Sequence, residues 1–437
     1  MKIRITEAAW TMLRNRLFER TDVETAGLLF GEQLMSNDDS IVVVHRVVPL
    51  PENAYTIRAI DRLSIDPVSL NRLIRPARDN GWSIFTIHTH PGALEAWFSG
   101  ADDAGDSRLM PSLACQIAGT PHGSIVVTEN GDAAARVYSG GHFAEAEIRI
   151  IGRTLWQPRP RHPAPSKEPW FARQELALGA KGQARLRSLR VAVVGLGGIG
   201  SIVAMQLAHL GVGELVFIDG DVVESSNLSR IAGAVPADVG RTAKVDVAAR
   251  YAEALGYVRA ERHRAFLGPE HESLLAGCDI ILSCVDEQTP RALLNRISYR
   301  YFVPVIDLGT AFRVSEAGAI TGDSGRVVVL GPGRPCLACW GHLDPHVLRI
   351  EALSPDERET EVRLGYIDGA IEEQPSVVAF NTFVAGAGAV EFMRLATGFA
   401  GTDRPPMRME FSFSVGTVRR NTVIRDQRCC ICGDGID

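Results

Sequence analysis

The sequence predicts an α/β protein in two parts, an N-terminal α+β domain joined to a doubly wound, Rossmann-like domain. Three observations carry this. RVAVVGLGGIGS (190–201) reads as strand, glycine turn and helix, and the apolar strands ELVFID, DIILSCVD and VPVIDLG follow between helical stretches. The first 150 or so residues mix short strands with a few helices instead. Between them, RTLWQPRPRHPAPSKEPW (153–170) is rich in proline and basic residues and has neither period. Proline restricts its own φ and the residue before it, so this stretch reads as an extended linker. A chain of 437 residues is too long for one ordinary core. The predicted division is 1–152, a linker over 153–169, and 170–437.

KIRI opens the chain as a strand. Thr6 is placed to cap a helix over EAAWTMLRNRLFER, whose Ala9, Leu13 and Leu17 share one face. AGLLFGE and IVVVHRVV are strands, Asp66-Pro67 opens a helix reaching about Asp79, and WSIFTIHTH is a buried strand ending in two histidines. In the second domain the helix after the glycine turn runs through Leu210.

The net charge of −6 gives no electrostatic support to nucleic-acid binding. No run approaches 18 apolar residues, so no membrane span is expected. MKIRITEAAW lacks a signal-peptide core, which points to the cytoplasm, where thiols stay reduced. The eight cysteines then need a reason other than disulfides, and five of them fall into two tight groups.

Residues 88–103 read HTHPGALEAWFSGADD. Imidazoles at i and i+2 on an extended strand point to one side, so His88 and His90 can share a zinc ion. Asp102 supplies a third ligand, and the open fourth position is that of a catalytic site. A carboxylate is the natural general base beside it. ETAGLLFG (24–31), HTHP and SGAD (99–102) together resemble the JAMM (MPN/JAB) metalloproteases. The resemblance implies that Glu24 is the general acid/base, that His88, His90 and Asp102 hold the metal, and that Ser99 stabilises the oxyanion. It also implies cleavage after the C-terminal glycine of ubiquitin-like proteins. One departure stands out: seven residues, GALEAWF, separate HTHP from the serine where the family usually has six. Asp103 is then an alternative ligand, and an inactive loop is a second alternative.

Gly195, Gly197, Gly198 and Gly200 follow a strand and open a helix, a phosphate-binding turn on which NAD fits as well as ATP. Asp219, 24 residues after Gly195, is placed for ribose hydroxyls. IDGDVVESSNLSR (218–230) adds Asp221, Asn227 and Arg230, with Lys244 and Asp286 further on and Arg291 after that. Such cations and carboxylates are surplus for NAD and suit a triphosphate with magnesium. From about Phe171 to the C-terminus the chain resembles the ThiF/MoeB superfamily, through Arg173-Gln174, GxGGxG, D-x-D, S-N-L-x-R, D-x-x-x-x-R and PSVVAFNTFVAGAGAVEFMRLATG (375–398). The resemblance implies that Gly198 and Asp219 bind the nucleotide and that Ser226, Asn227 and Arg230 contact ATP. Lys244 would bind phosphate, Asp286 would ligate Mg²⁺, and Arg173 would reach the triphosphate, in many members across a homodimer interface. Two departures are Ile231, where glutamine is usual, and one extra residue before Lys244 in GRTAK.

Cys336-x-x-Cys339 and Cys429-x-x-Cys432 form two thiolate pairs suited to structural zinc, as ThiF/MoeB relatives often have, with Cys430 or His342 as lesser alternatives. Residues 340–428 hold no cysteine, so the usual thioester is not expected. Ser354 or Thr360 would offer an oxyester route, against helix capping as the plainer role, and Cys278 and Cys284 read as core.

The expected function is therefore bifunctional. The first domain trims a small ubiquitin-like or sulfur-carrier protein ending in glycine, and the second adenylates the freed carboxylate. Transfer would then go to a conjugating enzyme or a sulfur donor. The alternatives are an NAD-dependent oxidoreductase with a zinc appendage and a scaffold with an inactive site.

Overall fold

The computed structural model describes residues 1–36, 39–159, 169–315, 317–367, 375–401 and 408–433. The chain divides into two compact units, Met1–Arg161 and His162–Asp437. Among the described residues no helix is long and apolar enough to cross a membrane.

The first unit opens with β1 (Lys2–Thr6) and α1 (Glu7–Leu17). The Thr6 hydroxyl accepts the Ala9 N–H at 3.2 Å, the cap read from the sequence. Next come β2 (Ala26–Ser36), β3 (Asp39–Pro49) and a small hairpin of β4 (Tyr55–Arg58) and β5 (Leu63–Ile65). The helix expected from Asp66 to about Asp79 is in fact two, α2 (Pro67–Leu73) and α3 (Arg75–Asn80). Pro76 has no N–H to continue the ladder, and the axis breaks at Ile74. The unit continues with β6 (Ser83–Thr89), α4 (Gly100–Gln116), β7 (His122–Val127), β8 (Ala133–Ser139), β9 (His142–Ile151) and β10 (Leu155–Trp156).

The strand order is β1-β3-β2-β6-β7-β8-β9-β10, and β1 also pairs parallel with β9, so the sheet closes on itself. Alternation along β2 sends Leu29 toward Trp10, Leu13 and Leu17 of α1 and sends Leu28 and Phe30 toward Met110 and Leu113 of α4. Both faces are thus covered, which makes β6 a rigid mount for the histidines at its end. The linker was expected from residue 153, but the first part of that stretch belongs to the sheet. Leu155 and Trp156 pair with Ile151 and Ile150, because a buried Leu155 finds its place on the sheet edge. The rest of the proposed linker, 160–168, lies outside the described residues.

The second unit runs α5 (Ala172–Arg187), β11 (Arg190–Val194), α6 (Gly198–His209), β12 (Glu214–Ile218), α7 (Lys244–Glu253), β13 (Arg259–His263), α8 (Glu272–Ala276) and β14 (Ile280–Ser283). It continues with α9 (Gln288–Arg300), β15 (Val305–Val314), β16 (Ile320–Leu330), α10 (Pro345–Glu351), α11 (Pro355–Arg363), α12 (Val378–Thr397), β17 (Arg408–Ser412) and β18 (Thr417–Asn421). The order is β13-β12-β11-β14-β15-β16-β17-β18. The first five strands are parallel and the last three extend the sheet antiparallel. Chain order reverses between β11 and β14, the switch point where open α/β sheets bind ligands.

Leu13 is fully buried between α1 and the sheet. Leu13→Ala should cost the first unit about 2–5 kcal/mol. Urea unfolding followed by a probe confined to that unit checks this.

Candidate active sites: a histidine–carboxylate centre and a nucleotide cleft

In the first unit, β6 ends at Thr89 and delivers both imidazoles to one side. His88 Nε2 and His90 Nε2 are 3.3 Å apart. Asp102 faces them from the first turn of α4, with Oδ1 2.9 Å from His88 Nε2 and Oδ2 3.4 Å from His90 Nε2. Glu24 Oε1 lies 3.9 Å from His90 Nε2. The sequence-read ligands and base thus converge. Two imidazole nitrogens and a carboxylate oxygen within 4.8 Å of one another are a donor set that fits zinc.

The surroundings explain the charges. Burial pushes the Glu24 carboxyl above its ordinary range, and the neighbouring histidines pull it part of the way back. Burial also opposes the charge on Asp102, but hydrogen bonds with His88 and His90 outweigh it and hold that carboxyl well below the usual range. The Glu24 backbone is clamped on both sides by one hairpin. Its N–H donates to Ala59 O at 2.7 Å, and Arg58 Nε donates to its carbonyl at 3.2 Å.

Ser99 caps α4. Its Oγ accepts the Asp102 N–H at 3.2 Å, and its own N–H donates to Asp102 Oδ2 at 2.6 Å. Among the described residues the Ser99 hydroxyl has no acceptor of its own. The seven-residue loop before it is pinned by the turn between β7 and β8. Gly92 N–H donates to Glu129 Oε1 at 3.2 Å, Asn130 Nδ2 to Leu94 O at 2.6 Å, and Ala96 N–H to Asp132 Oδ2 at 2.7 Å. The extra residue is absorbed there and Asp102 keeps its place. Asp103, the alternative read from the sequence, lies outside this donor cluster, and its carboxylate pairs with Arg136 at 2.5 Å. Trp97, 53 % exposed, stands edge-on to His90 with ring centroids 5.2 Å apart.

In the second unit the glycine turn is forced by contact. Gly195 has φ +83°, and a side chain on Gly200 would fall 1.8 Å from the Gly195 carbonyl oxygen. A side chain on Gly198 would meet the Asn381 amide at 2.2 Å, whereas Gly197 faces open space. Asp219 follows β12, and its carboxylate accepts Leu196 N–H at 2.6 Å and Asp221 N–H at 2.9 Å, which ties the two loops together. Burial raises its pKa, and Lys244 and these N–H groups oppose the rise. Asp221 pairs with Lys244 Nζ at 2.7 Å. Asn227 Oδ1 accepts the Glu224 N–H at 3.3 Å, and Arg230 Nη1 donates to Ser226 O at 2.8 Å, so S-N-L-x-R is a self-bonded turn. Asp286 is exposed just past β14. Arg173 is exposed on α5, without an ion-pair partner among the described residues.

Asp307, Asn381 and Phe266 were not read from the sequence, and Arg291, which was, bonds to the first of them. Asp307, fully buried on β15, accepts Ser283 Oγ at 2.9 Å, Arg291 Nε at 3.2 Å and Arg326 Nη2 at 3.3 Å. Arg291 also donates to the Val285 and Asp286 carbonyls at 2.5 and 3.3 Å, so it shapes the strand end that carries Asp286. Asn381 of α12 lies against Gly198. Phe266, 73 % exposed, lies over Gly220 beside Asp219, where an added side chain would come within 2.9 Å of its ring. Only the glycine next to Asp219 hints at this contact.

The four cysteines gather as expected. Sγ–Sγ distances are 3.8 Å for Cys336–Cys339, 3.6 Å for Cys336–Cys429 and 3.5 Å for Cys339–Cys432. Four sulfurs around one tetrahedral zinc stand about 3.8 Å apart, so the cluster fits that ion. Cys430 is exposed and outside it. His342 is also outside, and burial pushes its pKa down to about 4. Ser354 is a helix cap bonded to Glu357, and the Thr360 hydroxyl donates to Asp356 O at 2.9 Å. Both hydroxyls are therefore engaged locally.

The family model "ThiF family" matches residues 171–431. The chain belongs to the ThiF family. Ahead of this ThiF domain, the model for prokaryotic homologs of the JAB domain matches residues 6–138, so the chain is a fusion of the two. A similar relative is the "adenylyltransferase and sulfurtransferase uba4" of Pyricularia oryzae, 33 % identical over 207 residues, which cover 45 % of this chain and 36 % of that one. Another is the "SAMP-activating enzyme E1" of Haloferax volcanii, 37 % identical over 165 residues, covering 37 % and 57 %. The matches thus span from about a third to somewhat over half of these relatives' lengths. Among solved structures, E. coli MccB with MccA-N7isoASN aligns with a TM-score of 0.50 at 19 % identity, covering 62 % of this chain and 77 % of that one. That likeness concerns the fold of the ThiF domain.

Two zinc ions per chain are expected by elemental analysis. Asp102→Ala should lose one of them and Cys336→Ser the other. Unchanged zinc in the Asp102 variant would rule out this ligand set.

Proposed function

We propose that the ThiF unit adenylates the C-terminal carboxylate of a small ubiquitin-like or sulfur-carrier protein, and that the JAB unit hydrolyses the bond after the C-terminal glycine of the same carrier. The observation that carries the first half is the convergence of three parallel strand ends. The glycine turn follows β11, Asp219 follows β12 and Asp286 follows β14, all about one switch point. The names of the two relatives support the choice of substrate.

In this reading the glycine turn and the start of α6 receive the triphosphate, Asp219 takes the ribose hydroxyls, and Phe266 stacks on the base. Arg230 and Lys244 neutralise phosphate oxygens, with Lys244 exchanging Asp221 for phosphate. Asp286 would hold Mg²⁺, which would offset charge on the leaving phosphates. A carrier carboxylate oxygen attacks the α-phosphorus. The new O–P bond replaces the bond to the β-phosphate, and pyrophosphate departs with that electron pair. Arg173 is exposed and has no ion-pair partner among the described residues, and a homodimer that brings it to a second cleft is part of the proposal.

In the JAB unit, His88, His90 and Asp102 would hold zinc, which would acidify water and polarise the scissile carbonyl. Glu24, its pKa raised by burial, takes the attacking water's proton and returns it to the leaving amine. The Ser99 hydroxyl donates to the developing oxyanion. Trp97, exposed beside His90, offers an apolar contact for an extended tail, and Leu94 and Ile60 are exposed apolar residues of the loop before Ser99 and of the hairpin that clamps Glu24.

Purified full chain with ATP, Mg²⁺ and a carrier ending in glycine should release pyrophosphate. Replacing ATP with NAD should give no turnover, and carrier-independent or absent release would sink the proposal. Phe266→Ala should raise KM for ATP about tenfold with kcat little changed, measured by pyrophosphate release. Glu24→Gln should keep its zinc and slow carrier cleavage about 10²–10⁴-fold, followed by mass spectrometry of a carrier with a C-terminal extension.

A further inference from the structure

Arg136 on β8 is nine-tenths buried, and it contacts the metal loop and the ligand helix at once. Its Nε and Nη2 donate to Asp106 Oδ2 at 3.0 and 2.7 Å, and Nη1 donates to Asp103 Oδ1 at 2.5 Å. Ser124, opposite it on β7, accepts from Nε at 3.1 Å and donates to Asp106. The guanidinium lies 3.9 Å from the centroid of Phe98, the last residue of the long loop, and 4.6 Å from that of Phe143 on β9. In sequence, its contacts at 98, 103 and 106 bracket Ser99 and Asp102.

We infer that Arg136 is the positioning residue for the metal centre, setting the roll of the first turn of α4 so that the Asp102 carboxylate faces His88 and His90. The inference rests on the zinc reading of that centre. Geometry favours positioning over mere stabilisation. A buried pair with Asp106 needs one carboxylate only, yet the planar fork reaches further to Asp103, the neighbour of the ligand, and stacks on the residue before the cap. The capping box fixes Asp102 relative to Ser99, but it does not set how the two sit against β6. Arg136 supplies that reference by tying them to β7 and β8, which share a sheet with β6. It also accounts for a loop one residue longer that still presents Asp102 to the imidazoles.

The test uses full-length protein and competes its zinc with a chelator, counting the ion that the Asp102→Ala variant lacks. Arg136→Lys keeps a positive charge beside Asp106 but loses the fork to Asp103 and the flat face against Phe98. It should weaken that zinc about 10- to 100-fold, with the melting temperature of the zinc-stripped protein near that of the parent. Affinity within twofold of the parent overturns the inference. Should the lysine variant fail to fold, Asp103→Ala removes only the exposed anchor and is titrated in the same way. It should weaken zinc severalfold, and no change again overturns the inference. A parent protein with the same zinc content as Asp102→Ala sinks the zinc reading itself, which separates the two failures.

Discussion

Both candidate sites are built where a buried strand runs out. Inside a sheet, backbone N–H and C=O groups are spent on neighbouring strands, and side chains alternate with a period of two. At the end of a strand that constraint lapses abruptly. His88 and His90 use the last of the period-two geometry to face the same way, and the His90 N–H still bonds Val127 O at 3.1 Å. Gly195 uses the first step beyond it to turn with positive φ. The two units share one starting point, a rigid strand whose end is released from the pattern of the sheet.

Each site then needs a second element to approach closely, and small contacts permit it. In the ThiF unit, Gly200 lies on the Gly195 carbonyl, Gly198 lies on Asn381 of α12, and Gly220 lies under Phe266. In the JAB unit, Asp102 is both the N3 carboxylate of a helix cap and a partner of the two histidines. A cap would hold this carboxylate in any helix; its second role exists because α4 is brought over the end of β6.

Buried arginines supply much of that placement. Arg291 and Arg326 share the buried carboxylate of Asp307, and Arg291 also holds the carbonyls that lead to Asp286. Arg136 does the equivalent for α4. Such pairs contribute little net stability once desolvation is counted, and removing one partner is costly. Their value here is directional: a planar fork fixes angles between elements that apolar packing leaves loose.

Much was legible along the chain because it depends on local rules. The helix cap at Thr6, the strand before each site, the glycine turn and the paired cysteines follow from periods, caps and spacings that act over a few residues. The break at Pro76 was legible in principle, since a missing N–H is a local fact. What the order of residues could not decide was which partner each charge would take. Asp102 and Asp103 are adjacent and chemically identical, and the choice between the two histidines and Arg136 depends on where β8 lies. Phe266 and Asn381 meet Gly220 and Gly198 from segments distant in sequence. Periodicity and spacing determined the α+β and doubly wound classes, the histidine pair, the glycine turn and the cysteine pairs, and the family resemblances added the rest of each site. Tertiary structure decided the orientation of each carboxylate, because hydrogen bonds and ion pairs fall off within a few ångströms and only the packed chain sets those distances.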